Sequence, residues 1–496
     1  MIVSAIAVLA YVAMIVTIGV MGLKKTHSFS DFFLGGRDVG PWLTAFTYGT
    51  AYFSAVLFIG FAGKIGYGFG LSAIWVAIGN TLVGTFLVWL LMGKRIKRET
   101  SRLGVYTMPE YLEARYDCSF LKFYSAVAIF VFMIPYTAAV FMGLSYLFEA
   151  NFRLPYWSVL AFMGVFTAVY LVLGGYKSMT MIDLIFGLIM IVGVTVLLAS
   201  SIHKGGGIAG IVEQLRAVHP DLAGPVGPPG LWPLLSLVIL TSLAPFAMPQ
   251  LIQKFYAIRD DRSVKIGMFA STFFALLVTG TAYFTGSLTR IFLNPESNPQ
   301  AFTEIGAPDF DALMPELLSS VIPQALSVII LLLILSASMS TLAALVLISS
   351  STIVKDLYGG IAHERADARR SLVRFLGGGR RASDKRLTIL MRIMSAVFVF
   401  ISVALALMRP AVIVTILSIS WGAIASVFLG PFIWGMLTKR ACKTGAIVSS
   451  VAGLGTCMVL FFVWGGPRAA EAGAVGMLVS LFLGLLLVPF GRLKKA

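Results

Sequence analysis

Residues 336–352, SASMSTLAALVLISSST, carry hydroxyls at eight positions inside a stretch otherwise apolar enough for lipid. On a helix Ala337, Ser340 and Thr341 stand at i, i+3 and i+4 and share one face. Two hydroxyl oxygens and a carbonyl there offer three oxygens to a small hard cation. Carbonyls from an unwound neighbouring span would complete a shell of five. With no full negative charge among the ligands, such a shell suits a monovalent ion better than calcium or magnesium. The same residues also fit close helix packing, each hydroxyl bonded back to the carbonyl four residues earlier. The stretch alone leaves both readings open. Ionisable groups within apolar spans are scarce: Asp183 at the start of one, Glu149 at the end of another, and Lys64 as the basic candidate. Each is a functional hypothesis by default. Lys64 also fits a lysine that snorkels to the interface, and Asp183 a carboxylate favoured at a helix N-terminus. All four histidines (His27, His203, His219, His363) fall in loops, which argues against a histidine proton relay. Cys118, Cys442 and Cys457 lack metal-ligand spacing and are too scattered for a disulfide framework.

The elements that must position these groups are membrane helices. Of 496 residues, 58% are hydrophobic and 12% charged, with a mean hydropathy of +0.92. That composition predicts an all-α polytopic membrane protein. Apolar segments predict about thirteen spans, at 2–22, 41–65, 71–92, 121–148, 156–175, 183–202, 230–250, 266–287, 322–353, 388–408, 411–438, 445–465 and 472–490. The first is expected to be retained, since Lys24 and Lys25 follow it rather than precede it. The net charge of +16 lies mainly in alternate loops, among them KRIKRETSR (94–102), ERADARRSLVR (364–374) and GGGRRASDKR (377–386). An outside N-terminus and a cytoplasmic C-terminus put 31 of the 38 Lys and Arg in or beside cytoplasmic loops, where anionic lipid is the expected partner. No basic stripe interleaved with aromatics points to nucleic acid, and no phosphate-cradling GxxxxGKS motif supports a membrane kinase or ATPase.

Two spans read as broken. The second, PWLTAFTYGTAYFSAVLFIGFAGKIGYG (41–68), has Gly49, Thr50 and Ser54 at mid-membrane. The seventh, LLSLVILTSLAPFAMPQLIQKF (234–255), has Thr241 and Ser242 followed by Pro245 and Pro249, which free carbonyls near Thr241. Breaks five spans apart suggest two five-helix repeats, each opening on a discontinuous helix, with a solute site at the midplane. The expected organisation is a first helix and loop (1–40), a first repeat (41–202), an outer loop (203–228), a second repeat (229–440) and two C-terminal helices (441–496).

From about residue 5 to 460 the chain resembles the sodium/solute symporters, which include bacterial proline, pantothenate and sialic acid carriers and animal glucose and iodide carriers. The likeness rests on DFFLGGRDVGPW (31–42), YTMPEYLEARYD (106–117), VLGGYKSMTMID (172–183), PQLIQKFYAIRD (249–260), SMSTLAALVLISSSTIVKDLY (338–358) and GPFIWGMLTKRACKTGA (430–446). It implies thirteen spans with an outside N-terminus, a LeuT-type core of five-plus-five inverted repeats, and sodium coupling. Carried over by motif, the sodium ligands are the carbonyls of Thr50, Phe53 and Ala337 and the side-chain oxygens of Ser340 and Thr341. Asp183 matches an aspartate near the inner exit, where some members hold a second sodium. Tyr136 matches a pocket tyrosine of proline-type carriers, while Thr241 replaces a pocket aromatic and Tyr52 an aspartate important for coupling. A lysine at the place of Lys64 occurs in sialic acid carriers, whose substrate is an acid. The polar cluster that grips sugar hydroxyls in the glucose carriers has no counterpart.

The resulting expectation is a non-enzymatic plasma-membrane symporter. Sodium would drive import of a small organic solute, most simply one bearing a carboxylate, such as a monocarboxylate or an amino acid like proline. Tyr52, Ser54, Lys64, Tyr136 and Thr241 are its expected substrate contacts. A proton-coupled or uncoupled carrier of the same fold is the first alternative, with Lys64 or Asp183 titrating. A non-transporting nutrient sensor is the second.

Overall fold

The computed structural model describes residues 2–23, 33–152, 154–323, 326–358 and 380–493. The basic stretch 364–374 lies outside them. Helices account for nearly every element, because a chain in lipid must satisfy its backbone groups internally. Helix α1 (Ile2–Leu23) is followed by a second span in two pieces, α2 (Pro41–Tyr52) and α3 (Ala62–Phe69), the latter preceded by a π-helical turn at Val56–Phe61. The chain then turns at Gly70, whose φ of +59° favours glycine, into α4 (Ile74–Thr81) and onward to α5 (Lys94–Leu103). Helices α6 (Met108–Tyr116) and α7 (Ser119–Phe152) follow, then α8 (Tyr156–Lys204). The 49 residues of α8 would extend about 74 Å if straight, roughly twice one crossing. It covers both the fifth and sixth expected spans.

The second half begins with α9 (Gly207–Val218), lying in the first long loop and burying Ile211 and Leu215. The broken seventh span is α10 (Leu231–Leu243) and α11 (Pro249–Tyr256), separated by a 3-10 turn at Ala244–Phe246. Helix α12 (Asp261–Ser287), the short α13 (Leu313–Val321) in the second long loop, and α14 (Ser327–Ser351) come next. Then follow α15 (Arg380–Leu407), α16 (Ile413–Leu437), α17 (Lys443–Trp464) and α18 (Ala469–Leu487). A two-residue strand pair, β1 (Arg440–Ala441) with β2 (Arg492–Leu493), ties the α16–α17 link to the C-terminal end.

Among the described residues, ten helical runs are long and apolar enough to cross a bilayer, with shorter apolar helices at Ile6–Val20 and Tyr156–Val169. One run, Val56–Leu103, covers parts of two expected spans across the turn at Gly70, so thirteen is an approximate count. Burial separates core from rim. The apolar stretch of α14 is 83% buried and that of α16 94%, against 28% for each of the last two spans. A helix apolar all round belongs inside, so α14 and α16 form the centre and α17 and α18 face lipid on one side.

Glycines bring the broken second span against its neighbours. A Cβ at Gly66 would lie 2.1 Å from the carbonyl carbon of Gly286, and one at Gly286 would lie 2.0 Å from the carbonyl oxygen of Ala62. Side chains on either helix would force α3 away from α12. The face carrying the long loops 203–230 and 294–318 is called here the loop face, and the opposite one the basic face.

Candidate functional site

Helix α2 ends because Phe53 leaves helical geometry (φ −112°, ψ 120°), its N–H reaching back to Gly49. A helix that ends buried strands its last carbonyls. The N–H of Ala55 would serve the Ala51 carbonyl in a continuous helix. It donates instead to Ser338 Oγ of α14, 3.0 Å away. The Ala51 and Thr50 carbonyls then face Thr341, whose Oγ1 lies 3.4 Å from each and 3.1 Å from the Ala337 carbonyl. Ser340 Oγ donates to Thr50 Oγ1 at 2.8 Å, and Thr50 Oγ1 donates to the Phe46 carbonyl, also 2.8 Å. Thr50, Ala51, Ala337, Ser340 and Thr341 are all fully buried.

The proton count decides what this cluster can do. A hydroxyl has one proton to give. Those of Ser340 and Thr50 are committed along one chain of bonds, which leaves the Thr341 proton alone among three carbonyl oxygens. Lone pairs converge on a buried point where one side-chain proton serves three carbonyls, which is a favourable setting for a small cation. Helix α14 therefore does both things the sequence allowed: its hydroxyls bond back to the preceding turn, as Ser338 does to Ile334 at 2.7 Å, and they face the gap in α2. Of the expected ligands, the structure brings together Thr50, Ala337, Ser340 and Thr341. Phe53 stands in the break itself, with its ring stacked on Tyr52 at 4.3 Å.

Asp183 lies beside this cluster, near enough to Ser340 and Thr47 to interact with their hydroxyls, yet neither carboxylate oxygen has a hydrogen bond of good geometry. Its charged neighbour is Lys254, whose ammonium is also fully buried and stacks over the Tyr176 ring at 5.0 Å. The expectation that Lys64 is the basic residue within the spans is thus corrected. Proline at 249 starts a new helical piece rather than ending the span, because its missing N–H is harmless at a first helical position, and α11 carries Lys254 inward. The expected seventh span ends at residue 250, which puts Lys254 beyond it. Lys355 and Asp356 are likewise drawn inside. Lys355 pairs with Glu110 at 2.9 Å, and Thr107 donates to Asp356 at 2.9 Å, closing the basic face between α6 and the end of the α14 span.

The second break meets the first through Tyr52. The Thr241 carbonyl has no helical donor, since the residue four positions on is Pro245. Tyr52 Oη donates to it at 2.8 Å and lies 3.3 Å from Asn80 Oδ1. Gly84 makes room: a Cβ there would lie 2.8 Å from Tyr52 Oη. Tyr52 also stacks on Trp421 of α16 at 5.9 Å, and Tyr136 of α7 meets the same indole edge-on at 6.0 Å. These rings line a cavity of about 30 Å³ together with Ser54, Thr241, Asn80 and Tyr283. Tyr52, Ser54, Tyr136 and Thr241 therefore line one cavity, which Lys64 does not join. It lines a second cavity of about 460 Å³ toward the loop face. Sequence reasoning missed Asn80, Tyr283 and Trp421. Asn80, a lone amide in IWVAIGNTLVG (74–84), was the one legible signal.

Comparison with known proteins places this arrangement. The profile of the Sodium:solute symporter family matches residues 32–453. The chain belongs to that family. It is 26% identical to an osmoregulated proline transporter of Bacillus subtilis over 96% of this chain and 92% of the relative. It is 27% identical to a sodium/pantothenate symporter of Escherichia coli over 96% of this chain and 93% of the relative. Among solved structures, a substrate-bound, outward-open Na+-coupled sialic acid symporter superposes with a TM-score of 0.78 at 16% identity, covering 99% of both chains. An inward-facing structure of the transporter Mhp1 superposes at 0.53 with 10% identity, covering 92% of this chain and 93% of that one. The fold of this symporter family member is thus the LeuT type that the family resemblance implied.

Proposed function

We propose that the protein is a sodium-coupled symporter of a small, carboxylate-bearing organic solute, with one sodium site between the break in α2 and the hydroxyl face of α14. The carbonyls of Thr50, Phe53 and Ala337 and the hydroxyls of Ser340 and Thr341 are its ligands. The observation that carries this reading is the buried oxygen cluster in which the single Thr341 hydroxyl proton serves three carbonyls. Sodium there fastens the two helices and favours the form open to the loop face. Coupling then follows from differential affinity of the two forms, since an ion that bound both equally would shift nothing.

The solute binds among Tyr52, Ser54, Tyr136 and Thr241. A cavity of about 30 Å³ holds little more than water as it stands, so the helices must part to admit a solute and close around it. Asp183 receives the ion on its way to the basic face or holds a second one. Positive-inside charge supports a cytoplasmic basic face and an outside N-terminus, in the plasma membrane. The two repeats run through 41–202 and 229–440. Family membership and the names of the proline and pantothenate relatives support a small organic cargo. Proton coupling is the second reading, favoured by the buried Asp183 beside Lys254. Proteoliposome uptake of radiolabelled amino acids and monocarboxylates separates the two. An imposed sodium gradient drives accumulation if the first is right; accumulation driven by a pH gradient alone overturns it.

A further inference from the structure

The cavity toward the loop face has a distinct chemistry. Its volume of about 460 Å³ falls in the range of small-molecule sites, and it shares no lining residue with the midplane pocket. On three elements its lining stands about one helical turn outward of the pocket's. Ile65 follows Phe61, Leu237 precedes Thr241, and Val414 and Ser418 precede Leu417 and Trp421. The two spaces are therefore stacked along one axis, the larger one outermost.

Two cations line the outer space. Lys64 lies over the Phe310 ring at 5.4 Å, Arg290 over the Tyr67 ring at 4.2 Å, and those two rings meet edge-on at 6.3 Å. The ladder holds both cations by their apolar sides and rings. A stacked guanidinium keeps its N–H edge for other partners. Among the described residues no carboxylate comes within ion-pair distance of either cation, and the buried Nε of Arg290 has no acceptor. The acids nearby are already engaged. Glu471 accepts from Arg468 and from Trp232 Nε1, and Asp311, the electrostatic neighbour of Lys64, accepts the Ile413 N–H at 3.1 Å. Apart from the hydroxyls of Thr415 and Ser418, the remaining wall is mainly apolar, with Phe69, Leu237, Val414 and prolines.

We propose that this outer cavity is an anion-binding vestibule, in which Lys64 and Arg290 together hold the carboxylate of a solute whose apolar body rests against Phe310 and Tyr67. That the captured anion then passes to the midplane pocket rests on the symport reading above; the binding itself does not. Surplus positive charge in a low-dielectric mouth concentrates anions and discriminates against neutral analogues.

The test uses the full-length protein in nanodiscs, with phenylacetate as the anionic probe and phenylacetamide as its neutral counterpart. Saturation-transfer NMR is recorded in sodium chloride and in choline chloride. Phenylacetate is expected to bind about tenfold more tightly than the amide. Lys64→Gln and Arg290→Gln should each weaken it about tenfold, whereas Arg290→Lys retains most of it. Trp421→Ala, in the midplane pocket, should leave in place the component of binding that the charge variants lose. Equal binding of acid and amide, or loss in Trp421→Ala with retention in both charge variants, overturns the vestibule. Sodium-dependent thermal stabilisation, measured on the same samples, reports on the ion site independently. Stabilisation by sodium without charge-selective probe binding sinks the vestibule alone. Charge-selective binding without sodium stabilisation keeps the vestibule and sinks the sodium reading.

Discussion

Replacing Thr341 by valine isolates the oxygen cluster, because it exchanges one hydroxyl for a methyl of similar size. In the absence of sodium, Thr341 supplies one proton to one of three carbonyls, at 3.1 to 3.4 Å. Its loss then costs about 1 kcal/mol, as for an ordinary buried hydrogen bond. With sodium bound, the hydroxyl oxygen faces a full charge, and such interactions contribute about 1.5–3 kcal/mol. The difference belongs to the ion. It predicts a sodium affinity lowered roughly 2- to 30-fold, with the sodium-free protein only slightly less stable. Purified protein melted across a sodium chloride series, with choline chloride holding ionic strength, reads both quantities. Stabilisation by an ion that binds only the folded state follows RT ln(1 + [Na+]/Kd), so a tenfold weaker site removes up to about 1.4 kcal/mol at saturating sodium. Ser340→Ala should move the midpoint in the same direction, since Ser340 holds Thr50 in place at 2.8 Å. Sodium titrations of both variants that superimpose on the wild type would refute the reasoning, whatever the uptake assay shows.

Other perturbations probe the surrounding framework. Tyr52→Phe strands the Thr241 carbonyl and should cost about 1–3 kcal/mol of stability in melts while changing sodium affinity little. Lys254→Met removes the buried positive charge nearest Asp183 and should lower the melting temperature, with Asp183→Asn in the same chain restoring much of it. Glu110→Gln removes the 2.9 Å pair with Lys355 and should loosen the basic face. The check is faster maleimide labelling of Ser349→Cys in a background lacking Cys118, Cys442 and Cys457; an unchanged rate would show that the pair does not hold this face shut. Asp311, in the loop outside the spans, is pushed up from 3.8 to about 7 chiefly by burial, which outweighs the Ile413 N–H bond. Between those values the folded chain binds a proton that the unfolded chain has lost. Stability should therefore fall as pH rises through that window and level off above about 7, and Asp311→Asn should flatten this part of the profile in melting curves.

What the sequence made legible follows from which forces act locally. Spans, the break near Thr50 and the interrupted seventh helix were readable because glycine, hydroxyls and proline act on their own backbone within a turn. The hydroxyl face of α14 was readable from a spacing of three and four. The roles of Ser338 and Tyr52 were not, since each depends on a partner far along the chain: Ala55 for Ser338, Thr241 for Tyr52. Lys254 was hidden for a different reason. Proline ends one helix and begins the next equally well, and only packing shows that α11 carries its lysine inward. Arg290 was hidden by its place at the end of a span, where arginine is unremarkable until Tyr67 is seen beneath it. Effects of a residue on its own backbone were thus recovered from sequence, and pairings with a partner far along the chain needed the fold. The break in α2 leaves a gap toward α14 that holds the oxygen cluster, with the aromatic pocket beside it, so the proposed coupling chemistry concentrates where distant partners meet. Variants that touch only one side of that gap, such as Ser338→Ala, should therefore disturb both broken-helix geometry and sodium binding together, because the Ala55 N–H that Ser338 holds is the one withdrawn from the Ala51 carbonyl.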